Sequence, residues 1–211
     1  MKISYAVTTH NEWQEIDWLL SFLLDHKDDE DEIVIVDDHS DHLTWRVFDE
    51  YIHESEHNIK FYEHELNGNF SAHKNFMNDQ CTGDWIFNID ADEMPHKNIV
   101  ENIKPLIEAN PTVELFWVPR INTVQGLTDE HCAKWRWRVN DKGWVNYPDP
   151  QQRIYKNLKR IRWSKPVHER LLGATKDTML PYEEEWSFYH MKTITKQEKQ
   201  NEFYGGILKN A

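Results

Sequence analysis

Apolar positions in the first half of the chain switch repeatedly between a period of two and a helical spacing. In residues 2–8, KISYAVT, the side chains Ile3, Tyr5 and Val7 recur at every second position with small residues between them, which predicts a strand. Residues 10–26 follow with Trp13, Ile16, Leu20 and Leu23 at helical spacing, and Asn11 with Gln14 reads as a capping pair. EIVIVDD, residues 32–38, is a short β-branched run of the kind buried on both faces of a sheet. Residues 41–55 set Leu43, Val47 and Tyr51 four apart, a second helix. NIKFYEH (58–64) reads as a third strand, residues 69–81 as a helix with Phe76 and Met77 inward, and DWIFNID (84–90) as a fourth strand. Strands alternating with helices imply a parallel sheet joined by right-handed crossovers. Ligands of such a sheet bind beyond the carboxyl ends of its strands, at the switch point. TTHNE follows the first strand, DDHSD the second and DADE the fourth, so three polar clusters are expected on one edge of one sheet.

After Pro95 the periodicity loosens. A helix over 98–109 is expected to be interrupted near Pro105. Short strand-like pieces follow: ELFWVPRIN, KWRWRVN, WVNY, QRIYKN, RIRW and WSFYHMK. A last helix is expected from Thr195, with Thr195 and Glu198 as a capping box. In WRWRVNDKGW, alternation would put Trp135 and Trp137 on one face and Arg136 and Arg138 on the other, either a core strand with a wet back or a surface for a sugar acceptor. The chain therefore reads as a single α/β domain over 1–211. Residues 1–95 form a nucleotide-binding half and 96–211 a β-rich half, with no Gly- or Pro-rich linker between them.

Charge narrows the function. The formal net charge is -13, which argues against a general nucleic-acid binder, because duplexes are held through Lys and Arg. The acids are uneven: DHKDDEDE (25–32) reads as a solvated connector. RIYKNLKRIRWSKPVHER (153–170) is basic, either through strand faces or through attraction for a phosphorylated ligand. Two cysteines, Cys81 and Cys132, stand far apart and imply reduced thiols in a cytoplasmic setting. The start has no apolar signal core, and no apolar run reaches the ~20 residues of a membrane span.

The stretch DWIFNIDADEMP runs from a buried strand into three acids within four positions. Alternation brings Asp90 and Asp92 to the same side of the backbone, where two hard oxygen donors suit Mg2+ or Mn2+. Such an ion would neutralise charge on a departing diphosphate. The same acids also suit the start of a helix, where they meet its dipole.

VTTHNE, IVIVDDHSDH, NGNFSAHKN, GDWIFNIDADE, YPDPQQRIYKN and PVHERL stand in one order over most of the chain. Together they resemble glycosyltransferase family 2, inverting nucleotide-sugar enzymes with the GT-A fold. The tail SFYHMKTITKQEKQNEFY is similar to the branch of lipopolysaccharide-core glucosyltransferases. The resemblance implies that Thr8, His10 and Asp38 face the nucleotide base, that Lys74 lies near the nucleotide, and that Asp90 binds the ribose or the metal. It implies Asp92 and His190 as ligands of Mn2+ or Mg2+. Inversion requires a base for the acceptor hydroxyl; Glu169 in PVHERL is the first candidate and Asp149 in YPDP the reserve. The implied donor is a nucleoside diphosphate sugar, a UDP-sugar first among them, and the acceptor a hydroxyl of a glycan or glycolipid. Sugar-phosphate nucleotidyltransferases share the nucleotide-binding half but need a Gly-rich loop, and TTHNEW has no Gly. Two other readings stand beside the enzyme on saccharides: transfer to a modified nucleic-acid base, and a non-catalytic nucleotide-binding scaffold.

Overall fold

The structure, a computed structural model, describes residues 1–52 and 58–210. The first four strands and three helices follow the hydrophobic pattern: β1 Ile3–Thr9, α1 Trp13–His26, β2 Glu32–Asp37, α2 His42–Ile52, β3 Ile59–Glu63, α3 Phe70–Gln80 and β4 Trp85–Asp90. The expected extension of α2 through 53–55 lies outside the described residues. The chain continues through β5 Glu93–Pro95, α4 Lys97–Ala109, β6 Leu115–Val118, β7 Arg120–Gln125 and α5 Asp129–Trp135. It ends with β8 Gln151–Lys156, β9 Arg162–Ser164, β10 Arg170–Leu172, β11 Asp177–Met179, a 3-10 turn Glu184–Trp186, β12 Phe188–Thr193 and α6 Ile194–Asn210.

Seven strands form one sheet in the order β11-β6-β8-β4-β1-β2-β3. Strands β1 to β4 run parallel, with β8 antiparallel between β4 and β6. Period-two alternation divides the core between the two faces. Ile3, Tyr5, Val7, Ile33 and Phe87 meet Ile16, Leu20 and Leu23 of α1 and Ile99 and Ile103 of α4. Ala6, Val34, Val36 and Ile86 meet Met77 of α3, with Tyr155 and Trp163. The chain lays β2 and β3 on one side of β1 and then returns to lay β4 on the other, which makes the carboxyl end of β1 the switch point. There Thr8 pairs in register with Asp90, and Thr9 with Asp37. The three polar clusters therefore share one edge, as the pattern predicts. A second sheet, β5-β12-β7, stands beyond that edge.

Several expectations are corrected. KWRWRVN is not a strand: Thr128 and His131 form a capping box, Asp129 and Glu130 occupy the first turn, and Arg136 closes α5 in the left-handed region. Capping and dipole charge there outweigh the strand preference of the tryptophans. Asn11 does not cap α1. It adopts a φ of 56° and accepts from the Asp41 backbone N–H at 2.7 Å, tying the loop after β1 to the loop after β2. Thr193, not Thr195, caps α6, accepting from Lys196 N–H at 3.2 Å. Pro105 sits inside an unbroken α4. Pro119 divides ELFWVPRIN into β6, in the main sheet, and β7, in the small one. WVNY contributes only isolated bridges at Val145. The acidic connector is not merely solvated: Asp28, Glu30 and Asp31 converge on Lys104 of α4 at 2.7, 2.8 and 3.0 Å. No helix among the described residues is long and apolar enough to cross a membrane.

Gly173 ends the β9–β10 hairpin with a φ of 95°, and a Cβ there would lie 1.9 Å from the Arg160 carbonyl oxygen. Neither the conformation nor the contact tolerates a side chain. Gly173→Ala is expected to destabilise the chain by about 2 kcal/mol or more, read as a lower midpoint in urea unfolding.

Candidate active site

Thr8, His10, Asp38, Lys74, Asp90, Asp92, Glu169 and His190 all line one open cavity of about 760 Å3 at the carboxyl edge of the main sheet. The sequence separates them by as much as the whole chain; the switch point and the second sheet bring them together.

On the side of β1 and β2, the His10 ring accepts at Nε2 from the Asn11 amide (2.8 Å), so its Nδ1–H donates to the Asp38 carbonyl (2.6 Å). The Asp38 carboxylate accepts from Leu66 N–H at 2.8 Å. His10 remains more than half exposed, its ring presented to the cavity.

The floor is a buried ionic network. Asp90, at the end of β4, accepts from Arg153 at 2.8 Å, and from Lys74 and Thr8 at 3.2 Å each. Burial alone would raise its pKa; the Arg153 guanidinium and the Lys74 ammonium hold it far below the usual carboxylate range. Arg153, on β8, also pairs with Glu93 at 2.7 Å and donates to Asn88 at 3.2 Å. Lys74 is neither solvated nor free: it bridges Asp90 to Glu169 at 2.9 Å and lies over the Trp163 ring. Glu169 thus pairs with Lys74, not with Arg153 or Arg170, and Lys74 outweighs burial to lower its pKa. Asp149, the reserve base, is taken up by structure. It accepts from Arg120 at 2.7 Å, Asn122 at 2.8 Å and Gln151 at 3.0 Å. Elsewhere in the basic segment, Arg160 pairs with Glu114 and Arg162 with Asp79, so much of its charge is spent on internal ion pairs.

The tautomer of His190 follows from its neighbours. The Asn122 amide nitrogen donates to Asp149, which turns the amide oxygen toward His190 Nδ1 at 2.8 Å. Nδ1 must carry the proton. Nε2 is left facing Asp92 Oδ2 at 3.3 Å, so in the neutral ring two lone-pair acceptors confront each other. Only a proton or a cation between or beside them relieves that arrangement. The orientation of the ring by a hydrogen bond at its other nitrogen is what a metal-bound imidazole requires. Among the described residues no three His, Cys, Asp or Glu side chains gather closely enough to hold a metal alone. Asp92 and His190 therefore fit an ion that completes its shell with substrate oxygens and water.

Sequence reasoning missed Lys196. Its ammonium stands 3.3 Å from Asp92 Oδ2, 3.0 Å from Glu12 and 3.6 Å from Glu15. Burial and the nearby Asp92 push Glu12 up to about 7 even against that ammonium. Lys196 places one positive charge beside Asp92, on the same oxygen that His190 Nε2 faces. Its only sequence signal is its place on the first turn of α6, immediately after the strand that carries His190.

A switch-point cleft lined by strand-end carboxylates, on a mostly parallel sheet with β8 as its one antiparallel strand, is the architecture of the GT-A fold. The model of the family described as "Glycosyl transferase family 2" matches residues 4–170, and the chain belongs to that family. No curated protein matches it in sequence. Among solved structures it is similar to S. aureus TarS 1-349 in complex with UDP-GlcNAc, with a TM-score of 0.65 and 20% identity over 91% of this chain and 59% of that one. The complex of TarS 1-349 with UDP gives 0.64 and 19% over 90% and 60%. A longer TarS chain gives 0.62 and 19% over 90% of this chain and 37% of that one. At this identity the likeness is one of fold. The chain spans less than two thirds of the length of each.

Arg153 is 4% exposed and is the shared partner of Asp90 and Glu93. Arg153→Met would remove the cation Asp90 and Glu93 share, leaving them Lys74 and Arg120, and is expected to cost about 1.5–3 kcal/mol of unfolding free energy. Adding Glu93→Gln to that variant should restore part of the loss in denaturant unfolding.

Proposed function

We propose that the chain transfers a sugar, with inversion, from a nucleoside diphosphate sugar to a hydroxyl of a saccharide acceptor, in a cytoplasmic setting. The observation that carries this reading is the meeting of Asp92 Oδ2 with His190 Nε2 at 3.3 Å, on the same cavity as Glu169 and the strand-end groups Thr8, His10 and Asp38. The TarS complexes hold UDP and UDP-GlcNAc, which supports a UDP-sugar as donor. Free thiols at Cys81 and Cys132 support the compartment. The resemblance of the tail to lipopolysaccharide-core glucosyltransferases supports a glycan or glycolipid acceptor.

In this reading residues 1–95 bind the nucleotide and 96–211 serve the acceptor. Thr8, His10 and Asp38 face the base, Asp90 binds the ribose or the metal, and Lys74 stands near the nucleotide. Asp92 and His190 would hold Mn2+ or Mg2+, which when bound offsets charge on the departing diphosphate. The acceptor oxygen attacks the anomeric carbon on the face opposite the leaving group. The bond from that carbon to the diphosphate oxygen breaks, the nucleoside diphosphate leaves with the electron pair, and the acceptor proton passes to Glu169. Lys74 keeps Glu169 ionised at neutral pH and therefore ready to accept, while lowering its basicity. Asp149 has no comparable freedom, because three neighbours donate to it.

UDP with Mn2+ is expected to raise the thermal midpoint of the chain more than UDP alone. Asp92→Ala should abolish the increment from Mn2+; an unchanged increment would move the ion elsewhere. Glu169→Gln should lower turnover of a UDP-sugar by about 10²–10⁴-fold while UDP still stabilises the protein, and near-normal turnover would remove Glu169 as the base.

A further inference from the structure

The loop that follows α5 carries features the donor cleft does not use. Arg136, Arg138, Asn140, Trp144, Asn146 and Tyr147 line a second cavity of about 530 Å3. Asn146 also lines the main cleft, so the two cavities adjoin. Both arginines are exposed, and among the described residues neither guanidinium has an ion-pair or hydrogen-bond partner, although the chain carries a net charge of -13. Most of the cations discussed above are spent on internal acids; these two are not.

The loop is braced rather than loose. Arg138 N–H donates to the Asn146 side chain at 2.9 Å, and Asn146 N–H donates back to the Arg138 carbonyl at 2.8 Å. The Asn140 side chain accepts from Lys142 N–H at 3.1 Å and Trp144 N–H at 2.9 Å. Trp144 packs at a tilt on Tyr147 with ring centroids 4.8 Å apart, and the exposed Lys142 ammonium lies 4.4 Å over the Trp144 ring, a third cation at this cavity. Val145 N–H donates to the Asn122 carbonyl at 2.8 Å, which anchors the loop on β7 beside His190. A fixed aromatic pair beside two unspent guanidinium groups matches a sugar ring that carries a negative group. Guanidinium forks bind carboxylate or phosphate oxygens bidentately, and aromatic faces cover the apolar side of the ring.

We propose that this second cavity is an acceptor subsite for an anionic saccharide, one bearing a phosphate or carboxylate, held by Arg136 and Arg138 against Trp144. The proposal rests on the transferase reading for the identity of the ligand as acceptor. Isothermal titration calorimetry with glucose 6-phosphate, glucuronate and glucose tests it. Saturable binding of glucose 6-phosphate or glucuronate, at least tenfold weaker in R136A/R138A and at least tenfold weaker for glucose, supports the subsite, and the better of the two anions names the charged group. Equal binding of glucose, binding unchanged in the double variant, binding of neither anion, or binding of a short oligothymidylate in preference to both anions would overturn it. UDP titrated separately into the wild-type chain reports on the donor site. Failure of the donor reading therefore shows in UDP, and failure of the subsite shows in the sugar anions.

Discussion

One guanidinium orders this molecule. Arg153 lies buried on β8, bonded to Asp90 at the end of β4 and to Glu93 at the start of β5. It is the cation these two carboxylates share, with Lys74 as a second partner of Asp90 and Arg120 of Glu93, and burying charges this close together is costly unless they are paired. The requirement fixes geometry. β8 must run antiparallel beside β4, in the register that sets Ile154 opposite Phe87, for the side chain one residue earlier to reach the strand end. The acid that ends the fourth strand is therefore tolerated through an internal cation, and Asp92 pairs separately, with His190 and Lys196. Lys74 extends the network to Glu169, and Arg120 extends it to Asp149. The β9–β10 hairpin, α3, β7 and β8 each deliver one charge to a common centre, which couples the folding of the second half of the chain to the cleft edge of the first.

The first half was legible because its signals are local. Ile3, Tyr5 and Val7 need only alternation, and EIVIVD needs only a run of buried β-branched residues. The parallel order and the switch point followed from the alternation of strands and helices. The second half was less legible because its strands are short and its pairing is remote. β9, β10 and β11 have three residues each, too few to show a period. β8 joins the main sheet between β4 and β6, a placement no periodicity announces. The α5 segment misled through composition, since its tryptophans favour strands while its helix is set by a cap upstream. The eight candidate residues came from the order of the family's motifs, and the fold brings all of them to one cavity. Their partners were not legible: nothing near Arg153 or Lys196 in sequence points to Asp90 or Asp92.

The acidic balance of the chain also reads differently once folded. Acids and cations cluster unequally at two places. Lys104 gathers Asp28, Glu30 and Asp31, and Lys2 and Lys60 both pair with a fully buried Glu32 at 2.8 Å. Both clusters stand at the amino end of the sheet, away from the cleft.

Asn122 joins the parts of the cleft that catalysis would have to coordinate. Its amide nitrogen is spent on Asp149 and its amide oxygen on His190, while its backbone carbonyl accepts from Val145 in the loop that carries Trp144. Rotating the amide would break both side-chain bonds at once and remove the proton from Nδ1 of His190. The orientation of the imidazole toward Asp92 is therefore conditional on Asp149 staying ionised and on β7 staying in register with β12, where Asn122 and His190 stand opposite each other. A ligand that drew the loop outward would pull on the same strand position that sets the cation site. The loop that carries Trp144 and the His190–Asp92 corner thus share a single residue, and that sharing is a physical route by which displacing one would alter the other.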